Sequence, residues 1–454
     1  MKTDNLSAET ASHVAEPKVH RGFAVLFFLM PITAVIAGVV SINGVTPHVF
    51  TSALFALVGV ASVLRPRYKI TRLAQTLLLF VIAWFVVTLL HIGLLNVPIT
   101  NEVTISLSGL AILLGVVTVR VSSRTFDAIV VGWTFAYFLA AAVALMEKFL
   151  GFVPQNSYLV LRGYALETVG LSSLFGNPNG FGLFLIATSI VFMPFALSAK
   201  RLSVRFVYCV LQLSTLYFMI ESGSRTGLTC LAVVLVVTLW KLLHKRDVAR
   251  MLLILGVIAL VIAQLLSPGG TVFINELRES SLFTDTDDGS FLLRFNLVRN
   301  GLVFLSESPL IGIGPDMYES HMVTRPNIYP TSFIINPHNG FVEILSQYGV
   351  VVFALFIFLL IRIGVSGWKL MRSASSNRDR NYVLGLGQLL LLVLLPFAAT
   401  MHSTFLGAPA AWLYLCALVA LGRMATVDDA EQRTRPDVRP HAIPLSAGTQ
   451  RRHA

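Results

Sequence analysis

Residues 73–95 read LAQTLLLFVIAWFVVTLLHIGLL, a run that contains no charged side chain. As an α-helix this run would extend about 35 Å, which exceeds the hydrocarbon core of a bilayer at about 30 Å. Over the whole chain, hydrophobic residues make up 55% and charged residues only 13%. A soluble domain averages about 25% charged residues. The run therefore predicts a transmembrane helix, and the composition predicts a membrane protein.

Apolar runs of similar length recur along the chain and predict about twelve transmembrane helices. These are residues 23–42, 47–64, 73–95, 103–119, 126–146, 179–198, 204–220, 226–243, 250–266, 341–361, 383–400 and 403–422. The predicted fold class is all-α and polytopic, with a transmembrane domain over residues 23–422. One large extracytoplasmic loop, residues 267–340, separates helices 9 and 10. The polar segments 1–22 and 423–454 are predicted to be disordered and cytoplasmic.

Lysine and arginine orient the predicted helices. With the N-terminus on the cytoplasmic side, most of the 34 basic residues fall inside, as the positive-inside rule requires. The basic residues left outside are Lys148, Arg162, Arg225, Arg278, Arg294, Arg299 and Arg325. Both termini are therefore expected in the cytoplasm. The formal net charge of +11 is explained by this bias, because basic residues on the inner face are attracted to anionic lipid head groups. No nucleic-acid partner is therefore expected.

Two polar groups stand at the outer ends of predicted helices. An arginine at the membrane boundary, Arg225, is costly enough to suggest a role; the alternative is an ion pair with Glu221 one helical turn earlier. His338 lies between Pro337 and Asn339 at the mouth of a helix. With an ordinary pKa near 6.5, a histidine there can accept a proton at neutral pH, and the alternative is a purely structural side chain.

Residues 291–306 are predicted to form an amphipathic helix that carries Arg294 and Arg299. Five residues apart, these arginines point about 140° away from each other, so one can face a site while the other faces water. The Asn177-Pro178-Asn179-Gly180 stretch reads as a helix cap with turn chemistry. Three weaker candidates have simpler structural explanations: His91, His402 and Glu343.

Several catalytic signatures are absent from the chain, including a Walker sequence and a His-Glu-x-x-His motif. The acids Asp285, Asp287 and Asp288 read as a flexible acidic turn, so neither a metal nor a cofactor is predicted. Charges at mid-membrane are almost absent, which argues against an ion-coupled transporter.

Short motifs resemble those of the bacterial O-antigen ligase and O-antigen polymerase superfamily. They are Ser222-Gly223-Ser224-Arg225-Thr226-Gly227, then Arg294 with Pro309-Leu310-Ile311-Gly312-Ile313-Gly314, then His338-Asn339 with Gly349, and the similar phrase Phe175-Gly176-Asn177-Pro178-Asn179. The spacing to Pro309 selects Arg294 over Arg299. The resemblance covers about Gly176 to Phe353, and Val298 and Val350 depart from the usual pattern.

The resemblance implies a membrane glycosyltransferase of the GT-C kind in the bacterial cytoplasmic (inner) membrane. Such an enzyme would transfer a glycan from undecaprenyl diphosphate to a hydroxyl of a glycan, lipid or protein acceptor at the extracytoplasmic face, with inversion and without metal. Arg225 and Arg294 would bind the diphosphate, and His338 would accept or orient the hydroxyl proton. Further residues expected to shape the substrate site are Asn339, Asn179 and Tyr318.

Other interpretations of the sequence stay open. Ligase and polymerase differ only in the acceptor, which no motif identifies. A flippase or exporter of lipid-linked saccharides would need charged residues along a central cavity. A cell-wall glycan polymerase of the shape, elongation, division and sporulation type would depend on an acid in an outer loop, such as Asp316 or Asp287.

Overall fold

The computed structural model describes residues 21–40, 45–64, 72–118, 123–154, 170–243, 290–325, 329–332, 334–374 and 379–434. Its α-helices are α1 Arg21–Ile36, α2 Pro47–Val63, α3 Arg72–Leu95, α4 Asn101–Thr118, α5 Ser123–Leu150, α6 Pro178–Ser198, α7 Leu202–Ser222, α8 Arg225–Leu242, α9 Ser290–Glu307, α10 Met317–Thr324, α11 Gly340–Ser373, α12 Arg380–Ala398 and α13 Pro409–Thr434. A short 3₁₀ turn at Ser173–Phe175 precedes α6.

These helices confirm an all-α, multi-pass membrane protein. Eight of them (α3 to α8, α11 and α12) are long and apolar enough to cross a membrane, and α1, α2 and the first part of α13 are shorter apolar helices. The predicted ninth span, 250–266, lies outside the described residues, as does the first part of the predicted loop. Helix α13 continues to Thr434, so residues 423–434 of the predicted tail are helical, and residues 435–454 lie outside the described residues.

Helix α3 shows how the bundle meets the membrane. Leu77, Phe80 and Trp84 recur at helical spacing and are buried against the rest of the bundle, whereas Leu79 and Ile82 are at least half exposed. A helix that is apolar on both its packed and its exposed face cannot face water on either side. The exposed face is therefore the one that contacts lipid.

Helix α6 is the central helix of the bundle. Nearly all of its side chains are buried, and α7, α8, α12 and α13 pack around it. Its start is fixed locally: Asn177 is the N-cap and accepts the Gly180 N–H, and Pro178 occupies the first turn, where a missing N–H costs nothing. This cap holds the Phe175-to-Asn179 motif at the start of α6.

Helix α11 is interrupted at Gly349, whose φ of 76° and ψ of 178° are not helical. Glycine reaches this region without steric penalty. A Cβ added there would stand 2.3 Å from the carbonyl oxygen of Leu310. The next residue, Val350, donates its N–H to the Pro309 carbonyl at 2.9 Å. The break in α11 therefore gives room to the segment that follows α9.

At the same place, backbone N–H groups of the segment after α9 donate hydrogen bonds to carbonyl groups of α11. The Ile313 N–H donates to the Ser346 carbonyl at 2.9 Å, and the Gly314 N–H donates to the Gln347 carbonyl at 3.1 Å. We call residues 309–314 packed on residues 346–350 the α9–α11 joint. Because α9 carries one motif and the start of α11 carries another, the joint sets how these two motifs approach each other.

The joint is tied to α3 by His91. The buried ring has Nε2 3.2 Å from the Gly312 carbonyl oxygen and Nδ1 2.8 Å from the Val87 carbonyl oxygen. The Gln347 side chain of α11 adds a further hydrogen bond to the segment before α10, because its Oε1 accepts the Asp316 N–H at 2.6 Å. These contacts support the structural interpretation of His91.

Candidate functional site

Arg225 is the first residue of α8. Helix α7 ends at Ser222 and is followed by the C-cap Gly223, which is left-handed with φ 68°. The Ser224 hydroxyl then caps α8 by accepting the Gly227 N–H. The arginine side chain is exposed. A cation in the first turn of a helix opposes the helix dipole, so stability alone does not explain an arginine here.

The alternative partner of Arg225, Glu221, is bound elsewhere. Its carboxylate forms an ion pair with Lys148 of α5, whose ammonium also lies 5.4 Å from the Tyr217 ring centre. Within the described part of the chain, no carboxylate forms a salt bridge with Arg225. The guanidinium is thus presented to the surroundings of the α8 N-terminus.

The starts of α6 and α8 are joined by side chains. The Ser224 hydroxyl donates to Asn179 Oδ1 at 2.9 Å and accepts from the α8 backbone at the same time. Asn179 is exposed, and its amide nitrogen is the end turned away from this bond. The predicted site residues Arg225 and Asn179 are therefore neighbours.

His402, a weaker candidate in the sequence analysis, extends this row of polar groups. Asn177 Oδ1 accepts the Gly180 N–H at 2.7 Å, which directs Nδ2 toward His402 Nε2 at 2.8 Å. An amide nitrogen only donates, so Asn177 Nδ2 donates to His402 Nε2 in the tautomer that carries its proton on Nδ1. Burial lowers the pKa of His402 to about 4, in agreement with a neutral ring.

His338 lies against the turn between α12 and α13, residues 399–408, which we call the α12–α13 turn. The His338 N–H donates to the Ser403 carbonyl at 2.9 Å, and the Gly340 N–H donates to the Ala399 carbonyl at 2.9 Å. The φ of His338 is 46°, a left-handed value that is uncommon outside glycine. Such backbone strain is concentrated at functional sites, and here the two bonds to the turn maintain it.

The protonation of His338 is set by burial and by Arg294. Burial is the larger effect and the Arg294 guanidinium the second; together they lower the pKa of His338 to about 4. Arg294 therefore lies within electrostatic reach of the imidazole. Above about pH 5 the ring is neutral, which is the form that accepts a proton.

The two arginines of α9 have different surroundings. The Arg299 guanidinium stacks on the Tyr329 ring at 3.8 Å and lies 5.6 Å from the Phe295 ring centre. Nearby, Asn300 exchanges hydrogen bonds with the Tyr329 backbone. Both arginines are exposed, but Arg299 fastens the segment after α10 to α9, whereas Arg294 acts electrostatically on His338.

The remaining predicted residues divide between the site and the core. Asn339 is the N-cap of α11, and its Oδ1 accepts the N–H groups of Phe341 and Val342, so its amide nitrogen is the end left for a ligand. Tyr318 is 1% exposed and donates its hydroxyl to the Leu297 carbonyl. Tyr318 therefore packs α10 against α9, and its part in shaping the substrate site stays a prediction.

The structure therefore links the predicted residues into two neighbouring groups at one end of the bundle. Arg225 and Asn179 form one group, and Arg294 and His338 form the other. Asn177, His402 and the α12–α13 turn connect them. Within the described residues, no cluster of three or more His, Cys, Asp or Glu side chains is arranged to hold a metal ion, and the acids at 285–288 lie outside those residues.

Comparison with known proteins identifies part of this arrangement. Residues 209–357 match the family described as O-antigen ligase, a segment that includes Arg225, Arg294, the α9–α11 joint and His338. The resemblance given by the motifs is thereby confirmed over this segment, and it indicates glycosyl transfer of the O-antigen ligase and polymerase kind at a membrane. A search of curated proteins found no match.

Proposed function

Starting from the O-antigen ligase match over residues 209–357, we propose that the protein is a metal-independent, inverting glycosyltransferase. It transfers or polymerises glycans carried on undecaprenyl diphosphate at the extracytoplasmic face of the bacterial cytoplasmic membrane, with both termini in the cytoplasm. The observation that most supports this function is the exposed Arg294 within electrostatic reach of a half-buried, neutral His338. A phosphate-binding cation next to a proton acceptor is what transfer from a lipid diphosphate to a hydroxyl needs.

The donor is bound through its diphosphate. The planar, positively charged guanidinium groups of Arg225 and Arg294 match phosphate oxygens in bidentate geometry. The exposed position of Arg225 at the start of α8 adds backbone N–H groups and the positive end of the helix dipole. These groups stabilise the negative charge that develops on the diphosphate as the glycosidic bond breaks, and no step requires a divalent cation.

The acceptor hydroxyl is activated by His338. Its neutral imidazole takes the hydroxyl proton while the oxygen attacks the anomeric carbon from the face opposite the diphosphate. The electron pair of the broken bond leaves with the diphosphate, so the anomeric configuration inverts. The amide nitrogens of Asn339 and Asn179 donate hydrogen bonds to sugar or phosphate oxygens. The acceptor is a hydroxyl of a glycan, a lipid or a protein, and the polyprenyl chain lies along the lipid-facing side of the bundle.

Glycan transfer in a strain that lacks its own copy tests this function. At matched amounts in the membrane, His338→Ala and Arg225→Ala are each expected to reduce transfer by about 100-fold or more, the usual scale for a general base or a charge-stabilising donor. Undecaprenyl-linked glycan should then accumulate on the outer face. Arg325→Ala is the matched control, because this exposed arginine is already paired with Glu307.

Other outcomes of this experiment identify other functions. Accumulation of lipid-linked glycan on the inner face would indicate a flippase. Loss of transfer in Asp316→Asn, with full transfer in His338→Ala and Arg225→Ala, would indicate the acid-dependent cell-wall polymerase. Full transfer in the Arg225 and His338 variants alone would show that the site assignment is wrong.

The pH dependence of kcat/KM tests the role of His338 separately. The acid limb of this profile reports the pKa of the base in the free enzyme, so it is expected near pH 4 and well below the ordinary histidine value. In Arg294→Gln the neighbouring positive charge is gone, protonation becomes easier, and the limb of the residual activity should move to higher pH. A limb that stays in place in this variant would contradict the electrostatic contact between the two side chains.

A further inference from the structure

The α12–α13 turn is the element that contacts both groups of the site. Its Ser403 carbonyl accepts the His338 N–H, and its His402 ring accepts from Asn177. Met401 reaches toward Gly182 of α6 and Gly227 of α8, since a Cβ added at either glycine would be 3.0 Å from its methyl carbon. The position of this turn therefore decides the distance between the His338 side and the Arg225 side.

A buried carboxylate holds the turn from α11. Glu343 is 0% exposed, and its Oε2 accepts the Phe405 N–H at 2.7 Å and the Leu406 N–H at 3.3 Å. A carboxyl group is costly to bury unless it is hydrogen-bonded, and here the two backbone N–H groups and the Glu102 side chain supply the hydrogen bonds. Glu343 lies one helical turn after Asn339, to which its own N–H is bonded.

Other contacts hold the same part of the turn from different helices. The Leu406 carbonyl accepts from Trp412 Nε1 at 2.9 Å and from the Ser106 hydroxyl at 3.3 Å. A Cβ at Gly340 would overlap the Phe405 ring, so α11 and the turn are in close contact where α11 begins. Among these described contacts, Glu343 provides the side-chain hydrogen bonds that connect the turn to the helix that starts next to His338.

We propose that Glu343 is a positioning residue for glycosyl transfer: by binding the Phe405 and Leu406 N–H groups it fixes the α12–α13 turn, and through this turn the placement of His338 relative to Asn177 and the start of α8. This inference rests on the proposed function. It assigns Glu343 no contact with substrate. The geometry, rather than the negative charge, is what the site needs from it.

Substitutions at Glu343 separate geometry from charge. Glu343→Leu removes both acceptor oxygens, and kcat should fall by about 100-fold, the scale of a small misplacement of a catalytic group, with the KM for the lipid-linked donor nearly unchanged because both arginines remain. Glu343→Gln keeps an oxygen that accepts the Phe405 N–H, so most of kcat should be retained. The control is Gln388→Leu, since Gln388 is equally buried and joins α12 to α13 by a bond to the Leu418 carbonyl, without contacting the turn amides.

Hydrogen exchange of the purified full-length protein gives a readout that does not depend on activity. Amides in peptides covering residues 404–407 should be protected in wild type and Glu343→Gln and should exchange faster in Glu343→Leu. Equal kcat in Glu343→Leu and Gln388→Leu, or a Glu343→Gln variant as inactive as Glu343→Leu, would overturn the proposal. If the wild type itself transfers no glycan, the proposed function fails, and unchanged protection in Glu343→Leu would then also exclude Glu343 as the residue that holds the turn.

Discussion

Replacement of Arg294 by glutamine is expected to reduce kcat/KM for glycan transfer by about 100- to 1,000-fold, the range observed when one preorganised donor to a developing negative charge is removed. The diphosphate leaving group gains charge in the transition state, and a neutral amide offers no compensating positive charge. Arg294→Lys should recover only part of the loss, because an ammonium group is a point charge without the planar fork. The measurement is steady-state transfer by purified protein with a lipid-linked donor.

Arg299→Gln is the matched control for this prediction. Both arginines lie exposed on α9, five residues apart, and they carry the same charge, so long-range attraction of an anionic donor is reduced equally in both variants. Loss of Arg299 removes stacking on Tyr329, which should lower thermal stability more than it lowers transfer. Equal losses of transfer in the two variants would mean that α9 contributes general positive charge, and that Arg294 has no specific role.

The sequence was sufficient for the parts of the fold that depend on local physics. Apolar length predicted the spans that the described helices confirm, and periodicity predicted an amphipathic helix over residues 291–306 where α9 is found. The Asn177-Pro178 cap of α6 could also be predicted, because its acceptor and its proline act within one turn. The extension of α13 to Thr434 could not be predicted, because a polar composition does not distinguish a helix from a disordered tail.

Contacts between distant segments were beyond the sequence. His402 and Asn177 are separated by more than 200 residues, and nothing local to either residue indicates their hydrogen bond. Nothing local to Tyr318 indicates that the packing of α9 on α10 buries this side chain. Glu343 likewise appeared as a lone acid near a helix start, and its importance follows only from the two turn amides that it binds.

The α9–α11 joint shows why motif spacing was more informative than motif composition. The Pro309-to-Gly314 stretch and Gly349 appear in the sequence as separate short motifs, yet they bind each other through reciprocal backbone hydrogen bonds. For these bonds to form while Arg294 and His338 face the same site, each side chain must lie a fixed number of residues from its own segment of the joint. The distances along the chain from Arg294 to Pro309 and from His338 to Gly349 are therefore set by the geometry of a single contact.

Gly349→Ala is expected to disrupt this joint and to cause a large loss of both stability and transfer. The φ of 76° with ψ of 178° costs a residue other than glycine about 1–3 kcal/mol, and the new Cβ would also stand 2.3 Å from the Leu310 carbonyl oxygen, so α11 or the segment after α9 has to move. Apparent Tm in detergent should fall, amides of residues 313–314 should lose protection from exchange, and transfer per folded molecule should fall because Arg294 and His338 separate.

Gly93→Ala is the control, because this glycine lies in α3 and a Cβ there meets no atom within 4 Å. Alanine in a helix is favoured over glycine by about 1 kcal/mol, so this variant should keep or raise Tm and keep transfer. If Gly349→Ala lowers Tm but leaves transfer per folded molecule and the protection of residues 313–314 at wild-type levels, the joint stabilises the bundle without positioning the site. If it lowers all three, the break in α11 is the feature that brings the α9 arginine to the histidine.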